Sequence, residues 1–267
     1  GMLSYSKLYQ AFGHHFDFIA IPIIKKRLRM DTSQVIINEE RPQLTKHLAT
    51  RFKEKIGQNV NLLGEVVLGN GEADHRYHHY LEALESPDIN YISVKISGIY
   101  AQTHALNYEE SFPELVSRMS ALYQKAIDFP YTDEDGIKRS KFINLDMEEY
   151  KDAHFTLRLF KAVLNLPQFK NYSAGIVVQA YLPDAYDFQT ELLEFAKARV
   201  DGGGAPIKMR LVKGCNLEME TVISSLKGWP NPIRPSKTEV DANYLCLLER
   251  GLMPENARVF TSRGCFS

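Results

Sequence analysis

From residue 59 onward, strand-like and helix-like segments alternate, and that alternation limits the possible folds more than any other feature of the chain. Residues 59–68 read as strand, 74–86 as helix, 90–97 as strand and 112–129 as helix. Residues 142–146 are a short strand, 151–166 a strongly amphipathic helix, and 174–182 a buried strand. A helix over 185–200 is stopped by Gly202, Gly203 and Gly204, and a fifth strand follows over 206–212. Helices over 217–227 and 240–250 come next, and residues 257–260 open a sixth strand. Alternation of this kind implies a parallel sheet with right-handed crossovers. Upstream the texture is helical, over 4–18 and 41–56, with Leu44, Leu48, Phe52 and Ile56 on one face. The expected organisation is a helical arm over 1–58 and one α/β domain over 59–267.

Two parallel architectures compete, an open doubly wound sheet and an eight-stranded barrel. No Gly-x-Gly-x-x-Gly follows the first strand, which weakens the dinucleotide-sheet reading. Glu65, Lys95, Asp146, Gln179 and Arg210 all come late in their apolar runs. In a barrel such positions converge on the mouth formed by the strands' carboxyl ends, where barrel active sites lie. That convergence favours an α/β fold of the (β/α)8 TIM-barrel type.

Charge and cysteine usage narrow the partners. The net charge is -1, which offers no basic field for nucleic acid. Cys215, Cys246 and Cys265 are odd in number and not at metal-ligand spacing, so no metal site is expected and a reducing cytoplasm is the expected setting. The histidines read as solvated helix residues. The apolar run 16–24 is short of the roughly 20 residues a membrane span needs and is broken by Asp17 and Pro22. Lys25, Lys26, Arg27 and Arg29 follow it. A helix packed on the main domain with a solvated basic end is the first reading of this segment. Peripheral contact with the inner membrane is the second.

The segment 205–220 carries the densest chemistry. Arg210 and Lys213 stand where a buried strand ends, beside Gly214 and ahead of a helix start. Charge in a buried strand needs a partner, and a cation pair at such a turn suits an anionic cofactor or substrate. Structural ion pairs to Asp146 or Glu65 are the alternative. Lys95 shares one strand face with Ser93 and Ser97, and inside a barrel it needs an anion, either a substrate carboxylate or Asp146. On an edge strand it would face solvent. By spacing alone, Asp146 reads first as a helix cap, with Glu148 and Glu149, and second as a site carboxylate. Gln179 in a buried strand must satisfy both ends of its amide, against a heteroaromatic ring edge or a neighbouring strand.

Taken together, Leu63-Gly-Glu65, Ser93-Val-Lys95, Asn144-Leu-Asp-Met-Glu-Glu149, residues 175–182, Arg210-Leu-Val-Lys-Gly214 and residues 237–244 resemble the proline dehydrogenase family, in order, over roughly residues 59–253. Residues 213–220 and Gly228-Trp-Pro230 resemble one branch of its bifunctional bacterial members, the proline utilization A enzymes, in which an aldehyde dehydrogenase domain follows the barrel. The resemblance implies an FAD-dependent barrel that oxidises L-proline to 1-pyrroline-5-carboxylate by hydride transfer to flavin N5, with a quinone as electron acceptor. It implies that Lys95 grips the proline carboxylate and that Asp146 orders the charged cluster. Met147 and Gln179 would contact the flavin ring, and Arg210 would tune it. Lys213, Gly214 and Cys215 would hold the cofactor at the turn after the fifth strand.

Two departures from the family pattern shape the expectation. Cys215-Asn-Leu217 stands where many members have Ala-Tyr-Trp. The tail Arg258–Ser267 resembles no family segment, so the chain is expected to carry about six strand–helix units and to lack the last strands and helix, with weak or absent affinity for FAD and proline. Two further readings follow. One is a non-catalytic fragment that pairs with another copy through its open edge. The other is a barrel lyase using Lys95 as a Schiff-base amine, which ranks last because a neighbouring carboxylate opposes the neutral amine that chemistry needs.

Overall fold

A computed structural model describes residues 17–32, 41–62, 69–101, 108–133 and 135–260. The chain divides into two compact units, Gly1–Ile56 and Gly57–Ser267. In the first unit, helix α1 spans Asp17–Thr32 and α2 spans Arg41–Lys53. The expected helix over 4–18 lies mostly outside the described residues. Among those residues, no helix is long and apolar enough to cross a membrane.

The second unit is built on five parallel strands, β1 (Val60–Asn61), β2 (Tyr91–Lys95), β5 (Phe142–Asp146), β6 (Gly175–Gln179) and β7 (Lys208–Val212), in the order β1-β2-β5-β6-β7. Helices fill the crossovers: α3 (Asn70–Glu85), α4 (Tyr108–Asp128), α5 (Ala153–Leu164) and α6 (Ala185–Asp201), followed by α7 (Leu217–Lys227) and α8 (Lys237–Leu252). Each element follows from local sequence. Ser236 caps the start of α8, its Oγ accepting from the Glu239 amide at 3.2 Å and donating to Glu239 Oε1 at 3.2 Å. Gly228 ends α7 with φ 65, a left-handed conformation that glycine adopts without a Cβ penalty.

Alternation along the strands sorts the sheet into two faces. Ile92, Val94, Ile143, Leu145, Ile176 and Val178 form one face and are fully or almost fully buried, beneath α3, α4 and α6. This face supplies the hydrophobic core. The opposite face carries Tyr91, Ser93, Lys95, Phe142, Asn144, Asp146, Gly175, Val177, Gln179, Lys208 and Arg210. A sheet with polar residues on its helix-free face is the inner wall of a barrel of the TIM type, here open between β1 and β7 among the described residues.

Three details differ from the sequence expectation. The first strand is short, and Glu65 lies outside the described residues. An unexpected hairpin, β3 (Tyr131–Thr132) with β4 (Lys138–Arg139), precedes β5. Its turn is organised by Asp133, whose Oδ1 accepts from the amides of Asp135 and Ile137, and Gly136 takes φ 76. The sixth strand does not start at residue 257. Pro254–Ala257 forms a short helix, α9, with proline at its first position, where the missing N–H costs nothing. Among the described residues of this stretch, strand character is seen at Phe260, which bridges Ile207 in parallel while the Ile207 amide donates to Val259 O at 3.2 Å.

Candidate active site at the carboxyl ends of the strands

Register brings the predicted residues together. Lys95 pairs with Asp146, Asn144 with Gly175, and Val177 with Arg210. Because Leu145 pairs with Ile176, Asp146 lies level with Val177. Lys95, Asp146, Val177 and Arg210 therefore form one row across four strands, with Gln179 one step nearer the mouth. All of them lie at or near the strands' carboxyl ends.

Asp146 is the centre of this row. Its Oδ1 accepts from Arg210 at 2.5 Å and from Asn144 Nδ2 at 2.7 Å. Arg210 reaches it across the small side chain of Val177. The Asp146 side chain is 9% exposed and that of Arg210 27%, so the pair is shielded on the carboxylate side and open on the guanidinium side. Asp146 is therefore not a helix cap, which was the first reading from spacing. A short turn over Tyr150–Asp152 separates it from α5. The structural ion pair foreseen for Arg210 does form, with Asp146, and it does so at the mouth rather than away from it.

Lys95 finds a different partner from the one expected. Its Nζ lies 4.0 Å from Glu148 Oε1. Glu148 is anchored by Ser97, whose Oγ donates to Oε1 at 2.9 Å and whose amide donates to Oε2 at 3.2 Å. Gln179 Nε2 donates to the Glu148 backbone carbonyl at 3.3 Å. Glu148 thus links the ends of β2, β5 and β6. Sequence reasoning placed it only among the cap candidates. The available signal was that Ser97 continues the Lys95 face and Glu148 follows Asp146 by two residues. Met147 is buried beside this cluster.

The floor under the row is packed tightly. Asn144 is fully buried, and a Cβ added at Gly175 would lie 2.6 Å from Asn144 Oδ1 and 3.0 Å from Phe142 Cε1. Gly175→Ala is expected to destabilise the fold by about 1–3 kcal/mol through overpacking and to push Asn144 off Asp146. Chemical denaturation of the variant, read against the wild type, checks this. Deeper in the wall, Lys208 Nζ lies 3.1 Å from Tyr91 Oη and 4.7 Å above the Tyr91 ring. Burial first, with the Asp146 charge also acting upward and Arg210 opposing, raises the Tyr91 phenol to about 12. Tyr80 packs behind Gly98, and burial pushes its phenol up to about 12.

The turn after β7 is held in place rather than loose. Tyr181 N donates to Lys213 O at 2.8 Å, which extends the β6–β7 pairing past the strand ends. Gly214 follows with φ 127, and its α-carbon lies against the buried Tyr181 ring. Lys213 reaches away from the row to Asp241 of α8 at 2.6 Å, and Lys237 meets the same carboxylate at 2.6 Å. Cys215 is exposed at the turn. Lys95, Asp146, Met147, Gln179 and Arg210 thus cluster together, whereas Lys213, Gly214 and Cys215 form a neighbouring turn.

Unsatisfied atoms test whether a flavin suits this wall. Gln179 Oε1 and Arg210 Nε are buried and make no hydrogen bond, and a buried polar group without a partner is costly. One is an acceptor and the other a donor, and a polar heteroaromatic edge offers the complement to both. The glycine turn leaves backbone close by. These two unpaired groups therefore suit a polar heteroaromatic edge such as a flavin presents.

The fold and site define an α/β protein of the TIM-barrel type with a charged cluster at the carboxyl ends of its strands. Within that class, the family model for proline dehydrogenase matches residues 44–264, and the chain belongs to that family. The match runs past residue 253 and takes in most of the tail 258–267, which sequence reading had set outside the family. The strand pairing at Phe260 agrees with that continuation. Among solved structures, proline utilization A from Corynebacterium freiburgense is similar at 42% identity and TM-score 0.79, over 86% of this chain and 23% of that one. Proline utilization A from Bdellovibrio bacteriovorus, described as inactivated by N-propargylglycine, is similar at 30% identity and TM-score 0.77, over 91% of this chain and 26% of that one. The chain spans about a quarter of the length of these solved relatives. A search of the curated proteins returned no match.

Proposed function

We propose that this chain is a proline-oxidising domain that uses FAD. The observation that carries the reading is the convergence of Lys95, Asp146, Gln179 and Arg210 on one strand-end cluster, in a chain of the proline dehydrogenase family. In this reading Lys95 holds the carboxylate of L-proline, its charge and three donors suiting a single anionic group. Asp146 fixes Arg210 and keeps the centre of the row polar. When bound, FAD supplies the hydride acceptor for oxidation of proline to 1-pyrroline-5-carboxylate. Gln179 and Met147 would hold its ring, with Arg210 providing positive charge beside it. Gly214 and Cys215 would line the turn that receives the rest of the cofactor. Lys213 would join them by exchanging Asp241 for the cofactor's phosphates. A quinone is the proposed electron acceptor, reached from the cytoplasm with peripheral contact at the inner membrane. In a longer polypeptide an aldehyde dehydrogenase domain would take the product onward.

The Schiff-base lyase reading is the weaker one. It requires Lys95 to attack a carbonyl as an amine nucleophile, and here Lys95 is engaged in an ion pair with Glu148 at 4.0 Å. The test is Lys95→Met. The expected result is retention of FAD with KM for L-proline raised about 10–100-fold, the range for loss of one charge-assisted contact. An unchanged KM would remove Lys95 from the substrate site. Borohydride trapping of a carbonyl compound on Lys95 would restore the lyase reading.

A further inference from the structure

Glu220 is a buried carboxylate that the strand-end row does not use. It is 6% exposed and sits in the first turn of α7. Its amide donates to Asn216 O at 2.9 Å, so its side chain is carried by the end of the glycine turn over 213–216. Its Oε1 accepts from the Tyr150 amide at 2.7 Å, 70 residues away in sequence. A buried carboxylate is costly without such a bond, and a charged acceptor makes it a strong one. Tyr150 is held at its other end too, since its hydroxyl donates to Asp184 Oδ2 at 2.5 Å, at the start of α6. The Glu220 charge also reaches Tyr181, whose phenol is pushed upward first by burial and next by that charge. Tyr181 is the ring against which Gly214 packs. One carboxylate thus acts on the ring under the glycine turn and on the backbone that follows Asp146.

We propose that Glu220 is a positioning residue that ties the turn at 213–216 to the Met147–Tyr150 segment, so that filling the turn orders the residues behind Asp146. The inference rests on the reading of 213–216 as the turn that receives the part of FAD beyond its ring. For stability alone, a well-packed apolar side chain would serve as well as a buried carboxylate. The carboxylate adds a directed link between two segments that carry separate parts of the site. The path is short: one helical hydrogen bond from Asn216 to Glu220, and one side-chain hydrogen bond from Glu220 to Tyr150. Asp184 fixes the far end of Tyr150, so a shift of α7 is taken up by the Tyr150 backbone and passed to Met147. Coupling of this kind is a free energy and acts in both directions.

The test uses ADP as the probe, because it offers the phosphates and ribose of the cofactor without the flavin ring that would touch Met147 directly. Amide and methyl spectra of the whole chain are recorded with ADP on the wild type, Glu220→Gln and Glu220→Leu. In the wild type, ADP is expected to move the amides of Gly214 and Cys215 and, with them, the Tyr150 amide and the Met147 methyl. In Glu220→Leu the Gly214 and Cys215 amides should still move, while the Tyr150 and Met147 shifts fall at least about 5-fold. Glu220→Gln, whose side-chain carbonyl can still accept from the Tyr150 amide, should retain them. FAD affinity, read from flavin fluorescence, should follow the same order, about 10-fold weaker in Glu220→Leu and within about 2-fold of the wild type in Glu220→Gln. A purely structural role would lower the melting temperature and leave the transmission to Tyr150 intact. Undiminished Tyr150 and Met147 shifts in Glu220→Leu would therefore overturn the proposal. Glu220→Ala is the second variant, and failure of both Glu220→Leu and Glu220→Ala to fold would make Glu220 a scaffold residue and overturn it too. If neither ADP nor FAD moves Gly214 and Cys215 in the wild type, the cofactor reading of the turn fails and the inference with it. If those amides move and Tyr150 does not, only the role of Glu220 fails.

Discussion

Arg210→Met is expected to lose at least about 100-fold in kcat/KM for L-proline, a change worth roughly 3 kcal/mol, and to unfold at lower denaturant than the wild type. The stability arm follows from burial. Asp146 is 9% exposed and would keep one neutral donor, Asn144, in place of a cation and a donor. Breaking a buried pair by removing one partner costs about 3–5 kcal/mol. Arg210 is 27% exposed, which leaves water able to screen the pair, so the expected loss is about 2–3 kcal/mol. Asp146→Asn should cost less, because the guanidinium left behind is open to solvent. The double variant should be less destabilised than the sum of the singles, with a coupling of about 1–3 kcal/mol. Urea unfolding of the four proteins measures this cycle. Strict additivity would mean that the contact contributes nothing to the fold.

Gly214→Ala is expected to be at least as damaging, for a steric reason. A Cβ at this position would lie 2.3 Å from Tyr181 Cδ1, 2.5 Å from Cγ and 2.7 Å from Cε1. Tyr181 is 1% exposed, so its ring has nowhere to retreat. The φ of 127 adds strain for any residue with a side chain. Overpacking of about 1–3 kcal/mol and backbone strain of similar size give a combined loss of about 3–5 kcal/mol. Tyr181→Leu placed on top of Gly214→Ala should recover part of the loss by removing the ring, while the backbone strain stays. Thermal melts of the single and double variants read both terms. A Gly214→Ala protein that melts within 2 °C of the wild type, on the scale of 4–8 °C per kcal/mol for a small domain and less for a larger one, would contradict the packing seen at this turn.

Much of this architecture was legible in the sequence, because its physical causes are local. Alternating strand and helix periods gave the parallel sheet, and polar residues late in the apolar runs gave the strand-end cluster. Gln179 and Arg210 stood out because buried strands seldom tolerate such side chains without a use. Other features depend on which strand lies beside which, and no local pattern encodes that. Asp146 resembled a cap because three acidic residues precede a helix. Only the β5–β6–β7 register shows that Arg210 reaches it across Val177. Glu148 was hidden for the same reason, since its partners Ser97 and Lys95 are about fifty residues away. Lys213 pairs with Asp241 from a helix that sequence placed correctly but could not orient. The strand expected from residue 257 starts later, because a short helix begun by Pro254 runs through Ala257 and the first parallel bridge falls at Phe260.

The most direct test is the visible absorbance spectrum of the purified chain with added FAD, recorded without oxygen before and after L-proline. Bound flavin bands that bleach on addition of L-proline, and do not bleach with cyclopentanecarboxylate, are the expected result. Bound flavin that stays oxidised in saturating L-proline, or a chain that takes up no flavin at all, would contradict a proline-oxidising site at the strand ends.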